Sequence, residues 1–162
     1  MTATRIGTGF DAHRLVEGRP LMLGGVRIAY ARGLEGHSDG DCLLHAVCDA
    51  ILGALGAGDM GRHFPSTDAR WKGAASLRFL EDVARLLGER GYALGNLDAT
   101  VIAQAPALAP HLEAMRAQIA QALAAPLDAV SVKAKSTDAL GAIGRGEGIA
   151  AQCVVLLQRR DR

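Results

Sequence analysis

The amino-acid sequence predicts an α/β (α+β) two-layer sandwich, in which helices cover one face of a mixed β-sheet and a β-hairpin lies near the N-terminus. Segments with alternating apolar residues are interspersed with segments of helical apolar spacing. Two adjacent glycines between short apolar runs indicate the hairpin. The 162 residues are 49% apolar and 22% charged, which suits one globular domain over residues 1–162.

The N-terminal part combines a strand with the hairpin. Residues 5–10 are predicted as the first strand, which leads into the polar segment 11–14. A tight turn at residues 24–25 joins residues 21–23 to residues 26–28, because glycine tolerates the positive φ of such a turn.

A glycine-rich stretch at residues 33–40 precedes the first predicted helix, residues 41–55, whose apolar side chains recur at helical spacing. Ser38 and Asp39 are placed to cap the start of this helix. The remaining elements are a loop (56–73), a second helix (74–90) ended by Gly91, a strand (97–103), a turn containing Pro106 (104–109), a third helix opening at Pro110, a strand (130–135), a glycine-rich connection (136–148) and a final strand (149–157).

Composition argues against several classes of function. The net charge is only +1, so the chain lacks the basic surface of a nucleic-acid-binding protein. No apolar run reaches the roughly 18 residues of a membrane span, and the N-terminus lacks an apolar leader. The three cysteines have no C-x-x-C spacing and are expected to be core thiols. We therefore expect a cytoplasmic protein without nucleic-acid or membrane partners.

Asp11, His13 and His45 are candidate ligands of one divalent metal, with zinc favoured. Residues i and i+2 of an extended chain point to the same face, so Asp11 and His13 could grip one ion. His45 would add a third donor, the pattern of a catalytic zinc site with one open position. Asp49 could accept a hydrogen bond from an imidazole N–H. The alternative is an accidental D-x-H spacing and a core histidine.

Three further segments carry polar candidates. Residues 36–41 precede a helix N-terminus, where free N–H groups favour an anion, although ordinary capping explains part of the pattern. Residues 58–61 and 64–68 could bind a polyol or phosphate, or form solvated turns. Residues 133–138 and 141–148 indicate phosphate and metal chemistry or a flexible bend, and they have neither Walker A nor Rossmann spacing.

Taken together, these segments resemble the 2-C-methyl-D-erythritol 2,4-cyclodiphosphate synthase family of the non-mevalonate isoprenoid pathway. The motifs occur in the family's order and cover nearly the whole chain, so they are specific jointly where each alone is weak. They are Arg5-Ile-Gly-Thr-Gly-Phe-Asp-Ala-His13, Gly36-His-Ser-Asp-Gly-Asp41 through His45, Gly58-Asp-Met-Gly61, Phe64-Pro-Ser-Thr-Asp68, Ala103-Gln-Ala-Pro106 and Gly144-Arg-Gly-Glu-Gly148.

The resemblance implies a homotrimer with active sites at subunit interfaces, and it implies specific metal and catalytic residues. One zinc ion per subunit would be bound by Asp11, His13 and His45, and a magnesium or manganese ion held with the substrate diphosphate would be bound by Asp138. The implied catalytic residues are His37 and Ser136.

The resemblance also implies the substrate contacts. The phosphate and methylerythritol parts would be held by Ser38, Asp59, Met60, Gly61, Phe64, Pro65, Ser66, Thr67 and Asp68. The cytidine and its phosphates would be held by residues of the neighbouring subunit, namely Ala103, Gln104, Ala105, Pro106, Ala107, Leu108, Ala109, Lys135, Ser136, Thr137 and Asp138. Arg145 would hold a phosphate in a central cavity of the trimer.

The implied reaction converts 4-diphosphocytidyl-2-C-methyl-D-erythritol 2-phosphate to the cyclic diphosphate and CMP. Since the nucleophile belongs to the substrate, positioning and charge neutralisation are what the protein supplies. The chain departs from the family's usual residues at Ser136 (usually Thr), Asp138 (usually Glu) and Ala142 (often aromatic). The shorter side chain of Asp138 changes the reach available for direct metal ligation. Ala142 removes an aromatic ring from the region of the central cavity where an isoprenoid diphosphate would bind.

Two other functions are open on the residues alone. One is a zinc phosphohydrolase that uses metal-bound water on a nucleotide diphosphate, and it predicts an open-chain product. The other is a non-catalytic trimeric module that binds isoprenoid diphosphates or metals, and it predicts that His45→Ala leaves the biological role intact.

Overall fold

The structure is a computed structural model that describes residues 4–160. Its strands in that range are β1 (Thr4–Glu17), β2 (Leu21–Leu23), β3 (Val26–Ile28), β4 (Arg32–Leu34), β5 (Tyr92–Ile102), β6 (Val130–Lys135) and β7 (Gly148–Arg159). Five of them form one sheet in the order β4-β1-β7-β5-β6, and β2 pairs with β3. All neighbours are antiparallel except β5 and β6. The predicted mixed α+β class and the hairpin are therefore confirmed.

The helices are α1 (Cys42–Ala54), α2 (Met60–His63), α3 (Ser76–Glu89), α4 (Leu112–Ala122) and α5 (Gly141–Gly144). The three long helices lie where apolar spacing predicts them, except that Pro110 belongs to a short 3₁₀ turn before α4. The single turns α2 and α5 lie in segments predicted as loops, since four residues are too few to show helical periodicity.

The first strand is longer than predicted. β1 pairs with β7 from Thr4 to Arg14, so Asp11 and His13 lie within the strand and not in a polar segment after it. Backbone pairing outweighs the polar composition of this stretch. β5 also begins earlier than predicted, at Tyr92, and β4 is an unpredicted edge strand.

Asp41 caps α1, which corrects the prediction that Ser38 or Asp39 does so. The Asp41 carboxylate accepts hydrogen bonds from the backbone N–H of Leu44 at 3.0 Å, and from Gly24 and Gly25 at 2.9 and 2.8 Å. Complete burial raises the pKa of Asp41. One carboxylate thus ties the hairpin turn to the first turn of the helix.

Two glycines of β1 allow α1 to pack directly on the strand. A Cβ on Gly9 would lie 2.0 Å from the Ala46 carbonyl oxygen, and a Cβ on Gly7 would lie 2.0 Å from that of Ala50. Any larger residue would push the helix away. This close approach brings His45, next to Ala46, to the strand that carries Asp11 and His13.

The two faces of the sheet differ in exposure. Side chains of β7 alternate between a buried row, which includes Ile149, Cys153 and Leu157, and an outer row. On the outer face Ile6 is 72% exposed and Phe10 is 62% exposed in the single chain. Apolar side chains exposed to this degree mark the outer face as one that a partner could cover.

The three cysteines match the expectation of core thiols. Cys42, Cys48 and Cys153 are free and buried, and burial raises the pKa of the Cys153 thiol to about 12. Within residues 4–160, no helix combines the length and apolar character needed to cross a bilayer.

Candidate active site

Asp11, His13 and His45 converge as a cluster of three donor atoms. Asp11 Oδ2 lies 2.8 Å from His13 Nε2 and 2.8 Å from His45 Nδ1. The two ring nitrogens are 3.2 Å apart, and all three side chains are partly buried. β1 places Asp11 and His13 on the helix-facing side, and α1 supplies His45. The predicted ligand set is thus assembled within one chain.

Opposing effects determine the charge states in this cluster. Burial acts to raise the pKa of Asp11, but hydrogen bonds with His13 and His45 outweigh it and lower the pKa well below its usual range. The hydrogen bond with Asp11 raises the pKa of His13. The carboxylate is therefore ionised at neutral pH, as a metal ligand must be.

The other nitrogen of His45 contacts two serines. Nε2 lies 2.9 Å from Ser76 Oγ and 3.1 Å from Ser38 Oγ. Asp49 does not fill the predicted role as an imidazole acceptor: its Oδ1 accepts the Met60 N–H at 2.8 Å, and among the described residues it makes no hydrogen bond with a histidine ring. The sequence does not indicate Ser76, since it comes from α3, 31 residues along the chain from His45.

Arg19 is a second residue that the sequence does not single out. Its guanidinium donates to the carbonyl oxygens of Gly36 at 3.0 Å and Ser38 at 2.7 Å. These two carbonyls flank His37, so Arg19 fixes the backbone that presents the His37 side chain.

The cluster lies on the wall of a cavity of about 330 Å³, within the size range of small-molecule sites. Aromatic rings form another wall, with Phe64 and Phe79 at 4.8 Å and Trp71 and Phe79 at 5.4 Å between ring centroids. Trp71 and Phe79 were not predicted. Besides the cluster, the predicted site residues on the lining are His37, Ser38, Met60, Gly61, Phe64 and Ser66.

Other residues of the two predicted substrate loops make contacts within and beside the loops and, among the described residues, do not line the cavity. Asp59 caps α2 by accepting the Arg62 N–H at 3.0 Å, and Asp68 pairs with Arg70, which lowers the pKa of the Asp68 carboxyl. Within residues 4–160 the lining of this cavity does not include Asp59, Pro65, Thr67 or Asp68.

The predicted nucleotide residues form two adjacent segments, Ala103–Ala109 and Lys135–Asp138, which we call the nucleotide segments. The Ala103 N–H donates to the Lys135 carbonyl at 2.9 Å, and the Ala139 N–H donates to Gln104 Oε1 at 3.0 Å. The structure brings the segments together because they follow the parallel strands β5 and β6. Among the described residues, neither segment lines the cavity of its own chain.

The end of the second segment and the following bend are exposed. Asp138 has φ 51°, a conformation that Asp tolerates better than most residues, and its carboxylate accepts the Ser136 hydroxyl at 3.1 Å. Arg145 is exposed and donates to Glu147 at 2.6 Å.

Known sequences match this chain over nearly its full length. A model of the YgbB family matches residues 4–158. The 2-C-methyl-D-erythritol 2,4-cyclodiphosphate synthase of Geobacillus kaustophilus (strain HTA426) is 62% identical over 155 residues, 96% of this chain and 98% of that protein. The synthase of the same name from Geotalea uraniireducens (strain Rf4) is 60% identical over 156 residues, 96% of this chain and 99% of that protein.

Solved structures share the fold. The bifunctional IspDF from Campylobacter jejuni gives a TM-score of 0.95 at 43% identity, over 99% of this chain and 44% of that chain. A 2C-methyl-D-erythritol-2,4-cyclodiphosphate synthase in its CDP-bound form gives 0.87 at 40% identity, over 94% of this chain and 99% of that chain. The chain therefore belongs to the YgbB family of 2-C-methyl-D-erythritol 2,4-cyclodiphosphate synthases and is an enzyme of the phosphorus–oxygen lyase class.

Proposed function

We propose that this enzyme converts 4-diphosphocytidyl-2-C-methyl-D-erythritol 2-phosphate to 2-C-methyl-D-erythritol 2,4-cyclodiphosphate and CMP. The observation that carries the proposal is the cluster of Asp11, His13 and His45 on the wall of a cavity of small-molecule size. The names of the relatives and the CDP-bound structure agree with a cytidine diphosphate substrate.

The donor set of the cluster fits zinc. One carboxylate oxygen and two ring nitrogens lie within 4.8 Å of one another. Three nitrogen or oxygen donors with a fourth position facing a cavity are typical of catalytic zinc, and imidazoles favour zinc over magnesium. We assign Asp11, His13 and His45 as the ligands of one zinc ion per subunit, which supplies Lewis-acid polarisation and charge neutralisation at a phosphate oxygen when bound.

The residues around the cluster place the substrate. His37 and Ser38 line the cavity beside the cluster, and we assign both to the substrate phosphate, with His37 stabilising the charge that develops there. Residues 59–61 and 64–68 hold the methylerythritol part, through Met60, Gly61, Phe64 and Ser66 on the cavity lining and through the residues next to them in the chain.

The reaction requires no nucleophile from the protein. An oxygen of the substrate's 2-phosphate forms a bond to the β-phosphorus, and the bond from that phosphorus to the oxygen shared with the α-phosphate breaks. CMP leaves with that oxygen. Repulsion between two phosphates opposes this ring closure, so the residues accelerate it by holding the reacting atoms in line and by countering negative charge.

We propose that the two-layer subunits assemble as a homotrimer with sites at the interfaces. Exposed apolar side chains such as Ile6, Phe10 and Val154 on the outer sheet face require cover. Because the nucleotide segments do not line the cavity of their own chain among the described residues, those of a neighbouring subunit complete it.

Within the nucleotide segments, we assign the cytidine to residues 103–109 and the phosphates to Lys135, Ser136 and Thr137. The Ser136 hydroxyl contacts the reacting diphosphate and is the second catalytic residue. Asp138 binds the magnesium or manganese ion that accompanies the diphosphate, since hard carboxylate oxygens suit that ion. Arg145 holds a phosphate in the central cavity of the trimer.

Buried free thiols suit a reducing compartment, and we therefore place the enzyme in the cytoplasm. We also propose that residues 1–162 form a single synthase domain.

Phosphorus NMR with the full chain, the cytidylyl substrate, zinc and magnesium tests the proposed reaction. The expected result is a coupled pair of ring-phosphate signals together with CMP. An open-chain bisphosphate with CMP would establish the phosphohydrolase instead. Unchanged substrate would favour the binding module, although no observation on the structure favours that alternative.

A further inference from the structure

We propose that Ser76 is a positioning residue of the metal cluster, whose hydroxyl, backed by Asp39, holds the His45 ring so that Nδ1 faces Asp11 and His13. The inference rests on the proposed metal site and deepens it. Ser76 belongs to neither the proposed ligands nor the proposed substrate contacts.

The two nitrogens of the His45 ring face different partners. Nδ1 lies 2.8 Å from Asp11 Oδ2 and 3.2 Å from His13 Nε2, while Nε2 lies 2.9 Å from Ser76 Oγ. In a neutral imidazole one nitrogen carries the proton and the other carries the lone pair that binds a metal. A partner that accepts a hydrogen bond from Nε2 therefore keeps a proton on that nitrogen and leaves Nδ1 for the metal.

Asp39 determines the direction of the hydrogen bond at Ser76. A carboxylate only accepts, so the Ser76 hydroxyl donates its proton to Asp39 Oδ1. Asp39 is itself fixed by the N–H groups of Ser76 at 2.9 Å and Asp41 at 3.2 Å. Because the hydroxyl proton is engaged, Ser76 Oγ presents a lone pair to Nε2. Nε2 therefore keeps a proton. Nδ1 donates to the Asp11 carboxylate in the metal-free chain and becomes the ligand atom when a metal displaces its proton.

Ser38 offers a matched comparison at the same nitrogen. Its hydroxyl is farther from Nε2, at 3.1 Å, and it lies on the cavity wall. Ser76 is fully buried, so water cannot replace its hydroxyl. Hydrogen-bond partners of metal-binding histidines typically change metal affinity by about 10–100-fold, and we expect that effect from Ser76 and not from Ser38.

Zinc competition titrations with a chromogenic chelator test the inference on the full-length wild type, Ser76→Ala, Ser76→Thr and Ser38→Ala. We expect Ser76→Ala to weaken zinc binding by about 10–100-fold, and Ser76→Thr and Ser38→Ala to stay within about threefold of the wild type. The backbone N–H of residue 76 still reaches Asp39 in Ser76→Ala, so the start of α3 is kept.

Nitrogen-15 NMR of the histidine rings in zinc-loaded protein supplies a readout that does not depend on activity. We expect a slowly exchanging Nε2 proton on His45 in the wild type and faster exchange of that proton with water in Ser76→Ala.

Unchanged zinc affinity in Ser76→Ala would overturn the inference while leaving the metal site intact. A Ser76→Thr variant as weak as Ser76→Ala would also overturn it, since the hydroxyl would not be the cause. Failure of the wild type to bind zinc would overturn the metal site and this inference together.

Discussion

The metal cluster and the nucleotide segments lie at the same end of the sheet but differ in how far contacts within the chain bury and fix them. In register, Ala12 of β1, Ala150 of β7, Ile102 of β5 and Lys135 of β6 form one row. The cluster at the β1 end of that row is partly buried and is hydrogen-bonded within one chain. At the β6 end, Lys135, like most of the nucleotide segments, is exposed.

The spacing between strands gives the distance between these two regions. Three strand spacings separate β1 from β6, which is about 14 Å at 4.7–4.9 Å per strand. Packing within one chain can therefore bring all three donors of the cluster together, because α1, which carries His45, lies directly on β1. Among the described residues, the nucleotide segments do not line the cavity that contains the cluster. Under the proposed function, packing within one chain builds the cluster, and a neighbouring subunit supplies the nucleotide segments.

The largest expected effect is at the cluster. His45→Ala removes one of three donors, so we expect loss of bound zinc and a fall in turnover of at least about 10³-fold, since metal stabilisation of charge is worth several kcal/mol. Zinc content by mass spectrometry and turnover are measured together. His111→Ala, a histidine outside the cluster, serves as the control and keeps its zinc. Full turnover in His45→Ala would remove the metal-centred mechanism.

A smaller effect is expected in the nucleotide segments. Lys135→Ala loses a charged hydrogen bond to phosphate, so we expect turnover to fall about 10–100-fold with zinc retained.

Co-expression of Lys135→Ala with His45→Ala then tests whether one site uses two chains. Equal mixing should restore about a quarter of the wild-type sites, since a cluster from one variant meets a nucleotide segment from the other. Activity no greater than that of the separate variants would mean that each chain carries a complete site.

Asp138→Glu should change little, because Glu is the family's usual residue there. We expect turnover within about threefold of the wild type, and a stability cost below about 1 kcal/mol because φ is positive at this position. Asp138→Ala, which lacks the carboxylate, is the control, and magnesium dependence is the measurement. Complete loss of activity in Asp138→Glu would show that the second metal is bound differently.

The smallest effect is expected on the outer sheet face, far from the cluster. The hydrogen bond from Lys133 lowers the pKa of Asp98, so the pair stabilises the fold above the ordinary carboxyl pKa of 3.8. This contribution is lost as pH falls through the lowered pKa.

Both groups of the pair are about half exposed in the single chain, so Asp98→Asn should cost the fold of one subunit at most about 0.2–1 kcal/mol at neutral pH. Urea unfolding at several pH values measures the difference between variant and wild type. A difference that grows towards acid pH would contradict the assignment.

Local patterns in the sequence account for much of the fold. The two-glycine turn, the apolar spacing of α1 and the alternation of β6 depend on neighbours within a few residues, and each prediction is confirmed. The features that were predicted wrongly depend on partners that are distant in the sequence. β1 extends through Asp11 because β7 pairs with it, and Asp41 replaces Ser38 as the cap because it also binds the hairpin turn.

The sequence by itself determined that Asp11 and His13 share one face wherever their segment is extended, because side chains alternate with a period of two; pairing with β7 makes that segment a strand. Only the tertiary structure decided that His45 meets them, since that contact spans 34 residues and depends on Gly7 and Gly9 admitting α1 to the strand. The tertiary structure also decided that Ser76 contacts the other nitrogen of His45. Periodicity acts over a few residues, whereas a site is made by packing between elements that are distant in sequence.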